Sequence, residues 1–194
     1  NAIYKPIAGE RPLWDFPDGA LAHREYAAFL VSEYLGLGIV PLTVLRDGPY
    51  GDGMVQEWID IDESIDLGSF FSTDNADLRA MAFFDAIINN TDRKIGHLLP
   101  TPSGELFGCD HGVTFHAEDK LRTVLWQWAG DSLTDDELLL LNKLSIGLGL
   151  DLDLSPHLTS LEIAAIKNRV SRLIAHAAMP QPNPNWPSVP WPAF

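Results

Sequence analysis

The fold of this chain is organised around residues 85–112, which read DAIINNTDRKIGHLLPTPSGELFGCDHG. An apolar helical pattern leads into this stretch, and a short hairpin with its turn at residues 100–104 occupies its second half. Because such a hairpin brings its two ends together, Asp92, His97 and Asp110 are predicted to lie on adjacent loops. Two carboxylates and an imidazole placed this way can hold a divalent cation and orient a nucleophile. A polar hairpin with solvated acids is the alternative.

Composition limits the classes of partner. The chain has 194 residues, of which 46% are hydrophobic and 21% charged, so we expect one globular domain or two small lobes. The net charge of -14 repels nucleic acid and anionic lipid, which predicts no nucleic-acid partner and makes a membrane partner unfavourable. The single cysteine excludes an internal disulfide and fits a reducing cytoplasm, where we expect the protein to reside.

The first part of the chain reads as a small mixed unit. The predicted elements are a strand at residues 2–6, a helix at 20–35 begun by Asp18, strands at 39–45 and 54–59, and a glycine-rich turn at 46–53. The glycines of the turn do not match a G-x-G-x-x-G phosphate loop and no helix follows them, so a hairpin is favoured.

The second part of the chain is mostly helical. Helices are predicted at residues 77–89, 135–144 and 159–178, and Thr134 with Glu137 forms a capping-box pattern for the second of these. The predicted fold class is therefore α+β, divided into residues 1–59, 60–178 and a tail at 179–194.

The tail is rich in proline and tryptophan and cannot form regular helix or central strand. It either docks Trp186 and Trp191 on the body or stays disordered. A segment of this composition is also a candidate binding site of polyproline type for a protein partner.

Four features match the parts that phosphoryl transfer requires. They are Lys5 on the first strand, Glu25 on the first helix, the loop that ends at Asp92, and the Asp-x-Gly sequence of Asp110. Phosphoryl transfer needs a cation on the phosphates, a carboxylate that holds that cation, metal ions and a carboxylate near the attacking hydroxyl. A lysine alone is a mobile point charge, so pairing with a helix glutamate would define its position.

Four stretches carry a resemblance to a known family. They are YKPIAGERPLWDFPDG at 4–19, NNTDRKIGHLL at 89–99, GCDHGVTFH at 108–116 and EDKLRTVLWQWAG at 118–130. The chain resembles the phosphatidylinositol 3-/4-kinase-like branch of the protein-kinase-like fold, which includes the HipA-type kinases. It is most similar to uncharacterised actinobacterial proteins related to phosphatidylinositol 3-/4-kinases. The resemblance implies a two-lobed fold with a truncated N-terminal β lobe, and an ATP-dependent kinase that uses Mg or Mn.

The resemblance also implies roles for residues of the first lobe. Lys5 resembles the lysine that contacts the ATP phosphates, and Glu25 resembles its partner on the helix. Backbone groups of the hinge would contact adenine, and the hinge residues would be Val55, Gln56, Glu57 and Trp58. The strands and glycine-rich loop that precede the lysine in this family are not present before Asn1, and we expect them in a longer form of the protein.

The catalytic and metal loops correspond to residues of the second lobe. Asp92 resembles the catalytic aspartate, with Arg93 beside it, and Asp110 resembles the metal-binding aspartate. Lys94 replaces the usual histidine and is a candidate phosphate contact. His97 replaces the usual asparagine as second metal ligand, and imidazole suits Mn or Zn better than Mg. We expect two further residues to brace the loop, namely Asp85 and Asn89.

The leading hypothesis is transfer of phosphate from ATP to a hydroxyl of a protein or small molecule. A nucleotide-binding pseudokinase and a nucleotidyltransferase on the same fold are alternatives. A metal phosphohydrolase is a further alternative, built from Asp92, His97, Asp110, His111 and His116. Packing or hydrogen-bonding roles are favoured for the last two histidines, and Cys109 is expected to face the core.

Overall fold

The structure is a computed structural model that describes residues 1–17 and 19–194. Its mixed helices and antiparallel sheets confirm the α+β class. The strands are β1 (Ala2–Pro6), β2 (Thr43–Gly48), β3 (Gly51–Glu57), β4 (Leu98–Pro100) and β5 (Leu106–Gly108), and the α-helices are α1 (Leu21–Leu35), α2 (Leu67–Phe70), α3 (Ala76–Ile88), α4 (Asp135–Gly147) and α5 (Ser160–His176).

The first sheet has the strand order β1-β3-β2, with β3 antiparallel to both neighbours. Lys5 lies opposite Met54 and Pro6 lies opposite Gly53. A Cβ on Gly53 would lie 2.7 Å from Cα of Pro6, so this position has room only for glycine. This close approach packs β1, the strand that carries Lys5, tightly against the central strand β3.

The hairpin between β2 and β3 is tighter than predicted. The expected turn at residues 46–53 is mostly strand, because the ladder continues from Arg46–Gly53 to Gly48–Gly51. Gly51 adopts a left-handed φ of 89°, which glycine tolerates without steric cost. Pro49 and Tyr50 are therefore the only residues between the two strands.

The start of α1 depends on a residue distant in sequence. Asp18, which was expected to begin this helix, lies outside the described residues. The carboxylate of Glu10 instead accepts hydrogen bonds from the backbone amides of Leu21 (3.2 Å) and Ala22 (2.8 Å). These amides are free donors at any helix N-terminus, and a carboxylate there also interacts favourably with the helix dipole.

The centre of the molecule is α3, whose residues from Leu78 onward are mostly buried. Asn75 caps its start by accepting from the amides of Asp77 (2.8 Å) and Leu78 (3.2 Å). Asn89 ends it in the left-handed conformation with φ of 53°. A helix that is buried on all sides holds its C-terminal loop in a defined place.

Two capping boxes begin α4 and α5. The predicted pair Thr134–Glu137 is confirmed, and Thr159–Glu162 forms a second box. The apolar side of α5 joins the same core as α3 through Ile166. Among the described residues, no helix combines the length and apolar character needed to cross a bilayer.

The tail has no regular secondary structure, as predicted, but its backbone is attached to the body. Ser188 O accepts from Trp126 Nε1 (2.9 Å) and from the amide of Thr123 (3.0 Å). The amide of Ile95 donates to Ala193 O at 2.9 Å. Trp191 remains 89% exposed, so backbone contacts rather than this indole attach the segment.

Candidate functional site

A cleft of about 570 Å³ lies between the three-stranded sheet and the loops that follow α3. It brings together most of the residues that sequence reasoning selected, namely Lys5, Glu25, Asp92, Lys94, His97 and Asp110. Met54 of the central strand and the first turn of α1 complete the walls. Cleft residues thus come from both parts of the chain.

Lys5 is held between two carboxylates. Its Nζ lies 3.1 Å from Oε1 of Glu25 and forms an ion pair with Oδ1 of Asp110. Burial lowers the pKa of Lys5, but the two carboxylates outweigh burial and raise this pKa above its usual value. The ammonium group is therefore charged and positioned across the ordinary pH range.

Glu25 connects α1 to both sides of the cleft. While Oε1 contacts Lys5, Oε2 accepts a hydrogen bond of 2.9 Å from the backbone amide of His111. Burial raises the pKa of Glu25, and the charge of Lys5 and this amide hydrogen bond act in the opposite direction. The carboxylate thereby links the lysine strand to the loop that carries Asp110.

Asp110 adopts the left-handed conformation, with φ of 56°. Burial acts to raise the pKa of its carboxyl group, but Lys5 outweighs burial and holds this pKa below its usual value. Its Oδ2 lies 3.6 Å from Nε2 of His97. A charged carboxylate at this position is a suitable ligand for a hard divalent cation.

His97 is neutral at pH 7, because burial, aided by the charge of Arg93, lowers its pKa to about 4. Its Nδ1 accepts from the amide of Lys94 at 3.3 Å, so hydrogen bonding assigns the ring proton to Nε2, facing Asp110. A metal on Nε2 would require the other tautomer, whose Nδ1–H would oppose the amide of Lys94. At 3.6 Å the contact between Nε2 and Asp110 is longer than a hydrogen bond, so the geometry fits a neutral polar neighbour of Asp110 better than the second metal ligand implied by the resemblance.

Asp92 lies at the cleft with about a third of its side chain exposed, and its Oδ2 is 3.7 Å from Nζ of Lys94. Burial raises the pKa of its carboxyl group, although Lys94 opposes this shift. The loop is held by Asn90, whose Oδ1 accepts from the amide of Asp92 at 3.0 Å. Asp92 is thus an accessible carboxylate with elevated basicity.

Arg93 does not face the cleft, although it is adjacent to Asp92 in sequence. Its fully buried guanidinium bonds Asp85 on α3, donates to Cys109 O at 3.0 Å, and contacts Nε2 of His111 at 2.7 Å. These bonds join the end of α3 to the Asp110 loop. Arg93 therefore positions the loops and does not reach a ligand in the cleft, and Asp85 has the bracing role expected of it.

Asn89 also braces the loops, as expected. Its Nδ2 donates to Glu118 O at 2.7 Å and to His116 O at 3.0 Å, and its Oδ1 accepts from the amide of Lys120 at 3.0 Å. This single side chain joins the end of α3 to the segment that follows the Asp110 loop.

The expected adenine-binding hinge is not among the residues that line the cleft. It consists of Val55, Gln56, Glu57 and Trp58. The amide of Glu57 donates to Leu42 O at 2.8 Å, and the amide of Trp58 donates to Asn1 O at 3.1 Å. Val55 and Gln56 lie in the central strand, paired on both sides. Because these amides already bond within the sheet, they are not available as donors to adenine, and the predicted hinge role stays a prediction.

The histidines near Asp110 do not build a metal centre. Within residues 1–17 and 19–194, no group of three or more His, Cys, Asp or Glu side chains is placed to hold a metal ion. His111 is buried against Arg93, and His116 accepts from the amide of Glu118 at 3.0 Å. Cys109 is only partly buried, and burial together with Asp110 raises its pKa to about 11, so its thiol is unreactive at neutral pH.

The chain is similar in sequence to a known protein. Protein Rv2133c of Mycobacterium tuberculosis (strain ATCC 25618 / H37Rv) is 40% identical over an alignment 231 positions long, which covers 100% of this chain and 83% of the relative. The chain belongs to the Rv2133c family. No protein-family model matches it. The name of Rv2133c states no activity, so the function is argued from the cleft.

Sequence reasoning missed two residues that position α1 in this member of the Rv2133c family. One is Glu10, which caps the helix from a distance. The other is Arg24, which donates to Thr114 O at 2.9 Å and forms a buried ion pair with Glu162 on α5. No local pattern indicates either contact, because their partners lie far along the chain. Together they hold the helix that carries Glu25.

Proposed function

We propose that this protein is an ATP-dependent phosphotransferase of the phosphatidylinositol 3-/4-kinase-like group. The observation that carries the proposal is the double pairing of Lys5 with Glu25 and Asp110 in one cleft that also contains Asp92. This set supplies a fixed cation for phosphates, a carboxylate for a metal and a carboxylate near an acceptor, which are the parts that phosphoryl transfer uses.

The arrangement of the chain supports a two-lobed protein-kinase-like fold. Residues 1–59 would form the N-terminal lobe, with Lys5 on an edge strand beside the central β3 and Glu25 on the following helix. Residues 60–178 would form the C-terminal lobe, with Asp92 and Asp110 on loops beyond the buried α3. The cleft lies where the two parts meet, which is where a nucleotide would bind.

In the proposed reaction, Lys5 would neutralise the phosphate tail of ATP, and Glu25 would keep its ammonium group in place. Asp110 is the protein carboxylate that would hold Mg or Mn, with phosphate oxygens and water as the remaining ligands. The bound ion would offset charge on the phosphates. His97, whose Nε2 lies 3.6 Å from Oδ2 of Asp110, would be a neutral neighbour of this carboxylate.

Asp92 would orient the acceptor hydroxyl and accept its proton. Burial raises its pKa, which suits this role because a stronger base accepts a proton more readily. Lys94, 3.7 Å from this carboxylate, would contact the transferring phosphate. The acceptor is a protein or small-molecule hydroxyl, since a net charge of -14 opposes approach to anionic lipid.

A nucleotide-binding pseudokinase is the second candidate function, and one observation favours it. Both aspartates of the cleft already have a lysine partner, with Asp110 against Lys5 and Asp92 against Lys94. If these pairs persist when nucleotide is bound, neither carboxylate is free for metal binding or for the acceptor.

The test is turnover of ATP labelled at the α or the γ phosphate, with Mg and with Mn. Asp92→Asn, Asp110→Ala and Lys5→Met are compared with Asp52→Asn, which changes an exposed carboxylate of the hairpin. Transfer of γ label that only the first three variants lose supports the kinase. Transfer of α label indicates nucleotidyl transfer, and bound nucleotide without transfer indicates the pseudokinase. Full activity of Asp110→Ala would disprove the assigned role of Asp110.

A further inference from the structure

A second cavity, of about 660 Å³, lies between α5, the 119–130 segment and the proline-rich tail. Within the described residues it shares no lining side chain with the first cleft. Its volume is in the range of sites that enclose a small organic molecule. The proposed phosphotransferase reaction assigns it no role.

One side of this cavity carries positive charge. Arg169, Arg172 and His176 all line it, and their spacing of three and four residues places them on one face of α5. Asp119 supplies the single carboxylate among the described lining residues. Two guanidinium groups therefore meet one carboxylate, which leaves an excess of positive charge in a strongly acidic chain.

Arg169 is built into the wall of the cavity. Its Nη1 donates to Ile87 O at 3.0 Å and its Nη2 donates to His116 O at 3.1 Å, which fixes the plane of the guanidinium. Its Nε is buried and has no hydrogen-bond partner in the described part of the chain, and Asp119 Oδ1 lies beyond hydrogen-bond range at 3.7 Å. Arg169 therefore contributes a fixed positive charge to the wall of the cavity rather than a donor that a ligand can reach.

Arg172 offers the accessible part of the site. About half of its side chain is exposed, and Nη2 lies 2.7 Å from Oδ2 of Asp119. A planar guanidinium has five donors, so Arg172 can keep this contact and still bind a phosphate or carboxylate.

Much of the remaining lining of the cavity is apolar. Its walls include Leu121, Trp126, Leu173 and Met179, together with prolines of the tail. An indole and aliphatic side chains offer favourable contact to a flat or aliphatic body but no partner for a charge. The cavity therefore combines a cationic end with an apolar wall.

We propose that this cavity binds a small amphipathic anion, in which a phosphate or carboxylate group is attached to an aromatic or aliphatic body. The anionic group contacts the exposed guanidinium of Arg172, Arg169 adds positive charge from within the wall, and the body packs on Trp126 and Leu173. The site is independent of the proposed kinase reaction.

The test uses 1-naphthyl phosphate and its neutral counterpart 1-naphthol, measured by titration calorimetry. Arg172→Gln removes an exposed charge of the cavity, and Lys167→Gln removes an exposed charge of the same helix outside it. We expect the phosphate to bind at least about tenfold more tightly than the alcohol, which corresponds to about 1.4 kcal/mol. Arg172→Gln should abolish this difference, and Lys167→Gln should keep it.

A further variant separates the two cavities. Because 1-naphthyl phosphate could also contact Lys5, the titration is repeated with Lys5→Met, and the proposal requires that binding persists. Loss of binding in Lys5→Met with retention in Arg172→Gln would place the anion in the first cleft and overturn the proposal. Equal affinity for phosphate and alcohol, or no binding up to about 1 mM, would overturn it as well.

Discussion

Arg93 and Asp85 form an ion pair from which solvent is excluded. Neither side chain has any exposed surface, and Nη2 of the arginine lies 2.9 Å from Oδ1 of the aspartate. The arginine is next to Asp92 in the loop, whereas the aspartate is on α3, so the pair joins the candidate site to the centre of the core. Replacing Asp85 would leave a buried guanidinium without its counter-charge.

We therefore predict that Asp85→Asn lowers the free energy of unfolding by about 3–5 kcal/mol, as found when one partner of a buried ion pair is removed. Urea denaturation measures this change. The matched control is Asp131→Asn, which removes an exposed carboxylate from Arg79 while Glu137 still pairs with this arginine, and which should cost about 1 kcal/mol or less. Equal urea midpoints for wild type and Asp85→Asn would show that the pair does not stabilise the fold.

His97 should make stability depend on pH. Its pKa is about 4 in the folded protein and 6.5 when unperturbed, so between these values the unfolded chain binds more protons. Stability is therefore lost as pH falls from 6.5 towards 4, by about 3 kcal/mol for this group alone.

The measurement is the free energy of unfolding from pH 7.5 down to pH 4.5, for wild type and for His97→Asn. Buried His111 has a pKa well below its usual value and adds a slope of the same sign, but this slope is present in both proteins and cancels in the difference. The free energy of unfolding should fall more steeply towards low pH for wild type than for His97→Asn, so the difference between the two curves should change across this range. Parallel curves would mean that His97 is accessible to protons in the folded state.

Gly53→Ala should disturb the strand that carries Lys5. The new methyl group would lie 2.7 Å from Cα of Pro6 in the neighbouring backbone, which cannot move as a flexible side chain would. We expect a loss of about 1–3 kcal/mol in stability, as for other overpacked sites. Gly9→Ala is the control, because its methyl group would meet only Pro6 Cγ at 3.5 Å. Thermal denaturation of the two variants decides this, and similar midpoints would contradict the close approach.

Removal of residues 187–194 should loosen the loop that bears Lys94 and His97. The amide of Ile95 would lose its acceptor, Ala193 O, and exchange with solvent at least about tenfold faster. The amide of Thr91, which donates to Val113 O at 3.0 Å, serves as the internal control. Amide hydrogen exchange followed by NMR would show the change, and an unchanged rate at Ile95 would mean that the tail does not hold this loop in solution.

Local sequence patterns predicted the elements whose causes are local. The first strand ends at Pro6, the box of Thr134 and Glu137 begins α4, and α1 ends beside Gly36. Prediction was less accurate where pairing with another strand determines the boundary, as in the β2–β3 hairpin. The cap of α1 by Glu10 could not be predicted, because helix-start patterns consider only adjacent residues.

In the candidate site, too, local sequence patterns predicted some features, while others depend on tertiary contacts. Asp92, His97 and Asp110 were placed together because a single hairpin joins their loops, and the cleft contains all of them. The inward direction of Arg93 could not be read from its position beside Asp92. Its orientation depends on Asp85, one turn before the end of α3, and on backbone groups of the Asp110 loop.

The sequence by itself determined the order of strands and helices, the acidic surface and the identity of the charged groups on the two loops, since these follow from periodicity, capping and composition. Only the tertiary structure decided which of those groups face the cleft and which serve the core. It pairs Lys5 with Asp110, which lies 105 residues further along the chain, while it buries Arg93 and engages the backbone of β3 in the sheet. The physical reason is that charge pairing and burial depend on distances in space, which short sequence patterns do not contain.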